Sequence, residues 1–141
     1  MNRPLDWEGC KQARIAKPVV ANHEQIASII ETARKKEQTT LLLPVNETTK
    51  ETIITLWYDV LRELLEALAL SAGYKIYNHE CYTPFLRTVI KDENFAHAFD
   101  SLRLLRNRIQ YYGKDVLLMD AEATVINARE LIKTTRTLLR K

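Results

Sequence analysis

Apolar residues recur every three or four positions along most of the chain, which is the spacing of amphipathic helices. The first such stretch covers residues 22–38 and places on one face Ile26, Ile29, Ile30 and Ala33. Asn22 precedes it as an N-cap, and Gln25 follows three residues later as in a capping box. We predict a helix here, ended by a break at Pro44.

The longest apolar stripe covers residues 49–72 and predicts a second helix. Its apolar positions follow helical spacing and are Ile54, Trp57, Tyr58, Leu61, Leu64, Leu65 and Leu68. Thr48 and Glu51 match the capping-box pattern at its start. Gly73 is placed to end it, because glycine adopts the left-handed backbone that often follows a helix.

Three shorter patterns complete the chain. A loop over residues 74–78 leads to a short helix that ends near Ile90, with Pro84 in its first turn. A fourth helix is predicted for residues 95–112, before Gly113. Asp120 is the expected cap of a last helix.

These patterns predict an all-α fold, a bundle of about five helices. Residues 41–43 are apolar enough for a strand, but the sequence offers no second strand to pair with them. The helical domain is predicted to cover residues 21–141, after an irregular segment at residues 1–20. A length of 141 residues is ordinary for one domain.

Composition narrows the function classes. Cys10 and Cys81 lie far apart in no motif, so neither a disulfide nor a thiolate metal site is expected. The first residues lack a signal-peptide pattern, and no apolar run reaches membrane-spanning length. We therefore expect a cytoplasmic protein without a membrane segment. A net charge of +3 permits nucleic-acid contact without requiring it.

Several common catalytic motifs are missing. Three glycines are too few for a phosphate-binding loop, and no Gly-x-Ser-x-Gly elbow is present. His23 and His79 each precede a glutamate but lack the second histidine of a helical zinc site. No metal or cofactor is expected. We interpret His79 as a cap or a loop hydrogen-bonding residue. Four tyrosines are interpreted as packing residues: Tyr58, Tyr74, Tyr77 and Tyr82.

The fourth helix contains a misplaced charge. At about 100° per residue, one face carries Phe95, Phe99, Leu102, Leu105 and Ile109. Arg106 falls within this apolar face, and a polar strip along its edge holds Arg103, Asn107 and Gln110. Burying an unpaired guanidinium costs several kcal/mol, so Arg106 needs a partner.

Two partners for Arg106 remain open. Glu63 or Glu66 of the second helix could pair with it, in which case Arg106 serves only the fold. Alternatively, Arg103, Arg106, Asn107 and Tyr111 could line a groove that holds a phosphodiester, with the tyrosines donating hydrogen bonds or stacking on a base.

Two segments resemble the HEPN domain family (higher eukaryotes and prokaryotes nucleotide-binding). One is residues 101–113, SLRLLRNRIQYYG, which resembles the family's signature helix. The other is residues 57–75, WYDVLRELLEALALSAGYK, followed by NHEC at residues 78–81. The likeness covers residues 20–141. It implies an up-and-down bundle of four to five helices that forms a homodimer through its signature helices.

The resemblance also implies several functions. Many family members are metal-independent endoribonucleases, often toxins, and others are RNA-binding modules or partners of minimal nucleotidyltransferases in toxin–antitoxin pairs. The family motif is an arginine, a polar residue and, four to six residues later, a histidine. Arg106 and Asn107 match its start. The histidine is replaced, because positions 111–113 are Tyr-Tyr-Gly.

The expected function is therefore RNA or nucleotide binding, with a ribonuclease site that lacks its histidine. Catalytic roles would go to Arg106, Asn107 and Tyr111, and phosphate contacts to Arg103, Arg106, Gln110 and Tyr112. Tyrosine is a poor base near pH 7, so slow or absent cleavage is expected. The alternatives are a noncatalytic nucleotidyltransferase partner, with Tyr111 or Tyr112 accepting a nucleotide, and a helical dimerisation module.

Overall fold

The computed structural model describes residues 4–141 as six α-helices and a two-stranded antiparallel sheet. The helices are α1 Trp7–Gln12, α2 His23–Leu41, α3 Lys50–Ser71, α4 Tyr82–Thr88, α5 Glu93–Tyr112 and α6 Leu118–Leu139. The strands are β1 Ala16–Pro18 and β2 Tyr74–Ile76, and a short 3-10 helix covers His79–Cys81. The predicted all-α helical bundle is confirmed, with one more helix than expected.

Helix α3 forms the centre of the bundle. It packs against α2 on one side and α6 on another, and it also contacts α5 and β2. Its predicted apolar stripe is confirmed. The core buries six of these side chains almost completely: Ile54, Trp57, Tyr58, Leu61, Leu64 and Leu65. Burial of such a stripe stabilises a helix far more than its intrinsic propensity does.

Some predicted helix ends are confirmed. The Asn22 side chain accepts a hydrogen bond from the Gln25 amide at 3.1 Å and caps α2. Gly113 ends α5 with φ of 62°, a left-handed conformation that favours glycine. Gly73 follows α3 with φ of 93° and allows the chain to turn into β2.

Two predicted caps are wrong. Helix α3 begins at Lys50 and has no side-chain cap, because the Thr49 hydroxyl donates instead to the Pro44 carbonyl at 2.5 Å. The Thr48–Glu51 capping box is therefore not formed. Helix α6 begins at Leu118, so Asp120 lies in its first turn, where its charge favours the helix dipole without capping.

The N-terminal segment is more ordered than predicted. The described part of residues 1–20 contains α1 and β1, and β1 pairs with β2 where a loop was expected. Trp7 is buried, with its ring 5.0 Å from that of Tyr74. Each strand has three residues, too few for an alternating pattern to predict it.

A disulfide joins Cys10 of α1 to Cys81. The prediction of no disulfide is wrong, because α1 packs beside α4 and brings together two cysteines that are 71 residues apart. Closing a loop of this length stabilises a fold by about 4 kcal/mol in the chain-entropy description. Disulfides are rare in the cytosol, so the bond counts against the cytoplasmic location that we predicted.

Across residues 4–141, no helix is both long and apolar enough to cross a bilayer.

Candidate anion-binding site between helices α3 and α5

Arg106 lies at the boundary between core and solvent. Helix α5 buries Phe95, Phe99 and Leu102, and Arg106 follows one turn later, half-buried. Its guanidinium carbon is 5.2 Å from the ring centre of Tyr58 and 6.0 Å from that of Tyr111. The side chain is thus held between two aromatic rings, an arrangement that favours a cation.

No carboxylate pairs with Arg106 within residues 4–141. The predicted alternative partners are engaged elsewhere: Glu63 bonds to Lys36 at 2.5 Å, and Glu66 bonds to Arg62 at 3.3 Å. Of the two alternatives for Arg106, the ion pair with Glu63 or Glu66 is therefore wrong. The Nε atom of Arg106 is shielded from solvent without a hydrogen-bond partner, and Nη1 reaches only the Asn107 side-chain oxygen, at 3.5 Å.

The other predicted site residues are only partly brought together. Asn107, Tyr111 and Tyr112 line one open groove near the end of α5, and Arg106 faces Tyr111 from beside it. Gln110 is exposed outside that lining. Arg103 donates from Nη2 to Asp100 at 2.9 Å, so a carboxylate already neutralises part of its charge.

Two residues adjoin this site that the sequence did not assign to it. The hydroxyl of Tyr58 lies 3.0 Å from Nδ1 of His79, and their ring centres are 5.8 Å apart. Tyr58 thus contacts Arg106 with its ring and His79 with its hydroxyl. The expectation that Tyr58 packs and His79 hydrogen-bonds in a loop is confirmed, but their place beside Arg106 was missed.

Local structure fixes the position of His79. The side chain of Asn78 accepts from the Glu80 amide at 3.1 Å and caps the 3-10 helix that begins at His79. The disulfide at Cys81 ties the other end of this turn to α1. The segment NHEC at residues 78–81 was the only sequence signal, and it gave no distance to α5.

Three neighbouring guanidinium groups change the pKa values of His79 and Tyr58. Burial is the main cause that lowers the pKa of His79 to about 4, and the positive charges of Arg62, Arg106 and Arg103 contribute to the same shift. Burial raises the pKa of Tyr58 to about 12, although the same three charges oppose this rise. At neutral pH the site therefore holds a neutral imidazole, a neutral phenol and an excess of positive charge.

No family model, curated protein or solved structure matches the chain. The HEPN likeness therefore stays a prediction from the sequence, and the chemistry of the site has to be argued from its own residues.

The remaining predicted packing tyrosines differ from one another. Tyr82 is buried and its ring centre lies 6.3 Å from that of His79. Tyr74 packs on Trp7, as expected. Tyr77 is 59% exposed, so its predicted packing role is wrong. Its ring instead lies near the ammonium groups of Lys17 and Lys75.

A site with this composition is suited to an anion. Two oxygens of a phosphate group accept parallel hydrogen bonds from a guanidinium, and contact with neighbouring aromatic rings helps to fix the orientation of that guanidinium. The exposed rings of Tyr111 and Tyr112 offer surfaces on which a base can stack. Residues 4–141 contain no group of three or more His, Cys, Asp or Glu side chains arranged around a metal position.

Proposed function

We propose that this protein binds single-stranded RNA or a nucleotide through the phosphate group, with Arg106 as the central contact. The observation that carries the proposal is the unpaired guanidinium of Arg106, half-buried between Tyr58 and Tyr111. A cation without an internal carboxylate is a costly feature of a fold. A bound phosphate would supply the missing charge and hydrogen-bond acceptors.

The groove beside Arg106 supports RNA as the source of that phosphate. Asn107 would orient the phosphate or the ribose, and Tyr111 and Tyr112 would stack with bases or donate hydrogen bonds. Arg103 and Gln110 would contribute weaker contacts, because Arg103 is shared with Asp100 and Gln110 is not part of the groove lining. The resemblance of residues 101–113 to the HEPN signature helix favours the same ligand class.

A titration with a short labelled single-stranded RNA tests this proposal. Arg106→Ala is expected to weaken binding by roughly 10- to 100-fold, the value of one or two charge-assisted hydrogen bonds. The matched control is Arg129→Ala, because Arg129 also lies over an aromatic ring of α3, 5.3 Å from Trp57, but is exposed on α6. Arg129→Ala removes the same charge and should change affinity by less than about threefold.

Equal losses in both variants would mean that RNA is held by overall charge only, and the Arg106 site would then be rejected. Light scattering on each variant checks the homodimer that the HEPN resemblance implies. Leu104, Tyr111 and Tyr112 are exposed apolar residues on α5 that such a dimer would cover. A change in mass on Arg106→Ala would indicate that Arg106 holds two subunits together.

A second function is favoured by the exposure of two adjacent phenols. Tyr111 and Tyr112 are 66% and 82% exposed and accessible to another protein. A nucleotidyltransferase could therefore reach either hydroxyl and transfer a nucleotide to it, as in a toxin–antitoxin pair. Mass spectrometry of the protein purified from its own cells would detect the added nucleotide, which Tyr111→Phe or Tyr112→Phe would abolish.

A further inference from the structure

A groove between α2 and α6 shares no lining residue with the groove beside Arg106. Both helices pack on α3 and hardly contact each other, which leaves a groove of about 560 Å³ between them. Leu41 of α2 and Ile126 of α6 line it and are 51% and 63% exposed. Leu42 and Leu43, which follow α2, are exposed as well. Apolar side chains exposed together within a charged rim are typical of interaction sites.

Four basic residues of α6 form a stripe along this α2–α6 groove. At about 100° per residue they fall within a sector of about 60° on the helix. The stripe extends for about 16 Å along α6, which is three helical turns. All four side chains line the groove: Arg129, Lys133, Arg136 and Arg140.

Only one of these four cations pairs with a carboxylate within residues 4–141. Arg136 donates from Nη1 to Glu37 of α2 at 2.9 Å. Arg129 lies 5.3 Å from the ring centre of Trp57, a contact that restricts its side chain without neutralising its charge. The two remaining cations are exposed and form no ion pair in the described chain. An anionic partner would therefore meet three available positive charges beside aliphatic side chains.

The lining of the groove favours a peptide over a nucleic acid or a bilayer. None of the described lining residues is aromatic, so a base has no ring on which to stack. Glu37 and Glu130 also line the groove and would repel a continuous row of phosphate groups. A peptide can place acidic residues opposite the cations and neutral or basic residues opposite these two carboxylates. The flat surface of a bilayer does not fit between two helices.

We propose that the α2–α6 groove binds an acidic amphipathic helix of a partner protein. Aspartate or glutamate residues, spaced three and four apart on one face of that helix, would pair with Arg129, Lys133 and Arg140. Leucine or isoleucine residues on the neighbouring face would contact Leu41 and Ile126. A partner helix of about three turns matches the length of the basic stripe. The inference does not rest on the proposed function, because Arg106 takes no part in this surface.

The two kinds of contact would have different roles in binding. Exposed ion pairs each contribute little affinity and are screened by salt, but several together attract an acidic segment and fix its register. Contacts with Leu41 and Ile126 would contribute most of the affinity, since they remove apolar surface from water. Arg129 is already held over Trp57, so its side chain loses less freedom when the partner binds.

Fluorescence anisotropy with a labelled synthetic peptide tests the inference. The probe is a capped helix of glutamate, leucine and alanine, about four turns long, with glutamate on one face and leucine on the next. A peptide of the same composition in scrambled order is the control, because it has the same charge without the two faces. The full-length protein should bind the amphipathic peptide at least about tenfold more tightly than the scrambled one.

Charge reversal within the stripe tests the basic residues. Lys133→Glu combined with Arg140→Glu should weaken peptide binding by at least about tenfold at low salt. The matched control is Lys35→Glu combined with Lys114→Glu, at exposed positions outside the groove lining. It changes the net charge by the same amount and should weaken binding by less than about threefold.

Ile126→Ser tests the aliphatic wall of the groove. The substitution should weaken binding of the amphipathic peptide by roughly tenfold, because apolar contact is lost at an exposed position that does not support the core. Unlike the effect of charge reversal, this loss should persist at high salt. Circular dichroism confirms that each variant is folded.

Three results would overturn the inference. One is a wild-type protein that does not distinguish the amphipathic peptide from the scrambled one. Another is an equal loss in the two charge-reversed proteins, which would mean that overall charge alone attracts the peptide. The third is obtained with single-stranded RNA or vesicles of anionic phospholipid. If Lys133→Glu with Arg140→Glu abolishes their binding but leaves peptide binding unchanged, the groove serves RNA or a membrane instead.

Discussion

Lys50 and Arg106 are two cations withdrawn from solvent in very different surroundings. Lys50 is 5% exposed, and its ammonium lies 2.9 Å from Glu47 and 3.1 Å from Asp115. It also bonds to the Val116 carbonyl. These contacts raise the pKa of Lys50, chiefly through the hydrogen bond that its ammonium donates to Glu47. Within the described residues, Arg106 has two neighbouring aromatic rings and one amide oxygen at 3.5 Å, and no carboxylate pairs with it.

The difference separates a structural charge from one that is available to a ligand. Lys50 is saturated with oxygen acceptors and fixes the connection between α5 and α6 to the start of α3. The three N–H groups of its ammonium already have oxygen acceptors, so none is left for a further anion. Arg106 retains most of its hydrogen-bonding capacity, so an incoming phosphate would gain contacts instead of displacing existing ones.

The largest effect on stability is expected from Lys50→Met. The substitution leaves the Val116 carbonyl without its donor and releases Glu47 and Asp115, so the melting temperature should fall by several degrees. Lys35→Met, on the exposed surface of α2, is the matched control and should change it little. Calorimetry of the two variants gives the comparison. A Lys50→Met protein as stable as the wild type would show that Lys50 has no structural role.

A smaller effect is expected on acidification, through His79. Its pKa is about 4 in the folded protein and 6.5 in its ordinary state, so the unfolded chain takes up the proton first. The contribution to stability is complete above about pH 6.5 and is lost as the pH falls toward 4, by at most about 3 kcal/mol. Urea unfolding between these pH values should be less pH-dependent in His79→Gln than in the wild type.

An NMR titration of His79 sharpens this prediction. The free protein should show the midpoint of His79 near 4, well below the ordinary histidine value of 6.5. Addition of a short RNA should move the midpoint upward, because the phosphate charge offsets the three arginines. A His79 midpoint near 6.5 would contradict the burial that the structure gives to its ring.

The smallest effect is expected from Arg106→Met. The variant loses the contact between the guanidinium and Tyr58, but it also removes a half-buried charge that no carboxylate pairs. The two terms nearly cancel, so the free energy of unfolding should change by less than about 1 kcal/mol. A loss of several kcal/mol in urea unfolding would show that Arg106 is structural after all, as Lys50 is.

The sequence predicts the long helices well because each carries an apolar stripe over several turns. It also identifies Arg106 as out of place, since one charge within such a stripe is visible on a helical wheel. It does not predict β1, β2 or the disulfide, because these depend on contacts between residues far apart in the chain. Tyr58 and His79 were missed as a pair for the same reason, since they come from different elements that meet only in the folded bundle.

The identity of the partner of Arg106 was also beyond the sequence. Glu63 and Glu66 lie at suitable positions on α3, but Lys36 of α2 and Arg62 occupy them first. Competition among neighbouring charges depends on side-chain directions, which a pattern of residue types does not contain. The helical wheel singled out Arg106 on α5, and its contacts had to come from the structure.

The bond between Cys10 and Cys81 makes residues 10–81 a closed covalent ring, with α4 to α6 as a tail outside it. His79 lies on this ring, two residues from its point of closure. In an oxidising compartment, or in a buffer without thiols, the disulfide links the turn that carries His79 covalently to α1. If a reductant breaks this bond, the turn keeps the Asn78 cap and the contacts of His79 with Tyr58 and Tyr82. The redox state in which the protein is prepared therefore decides which form of the site an experiment measures.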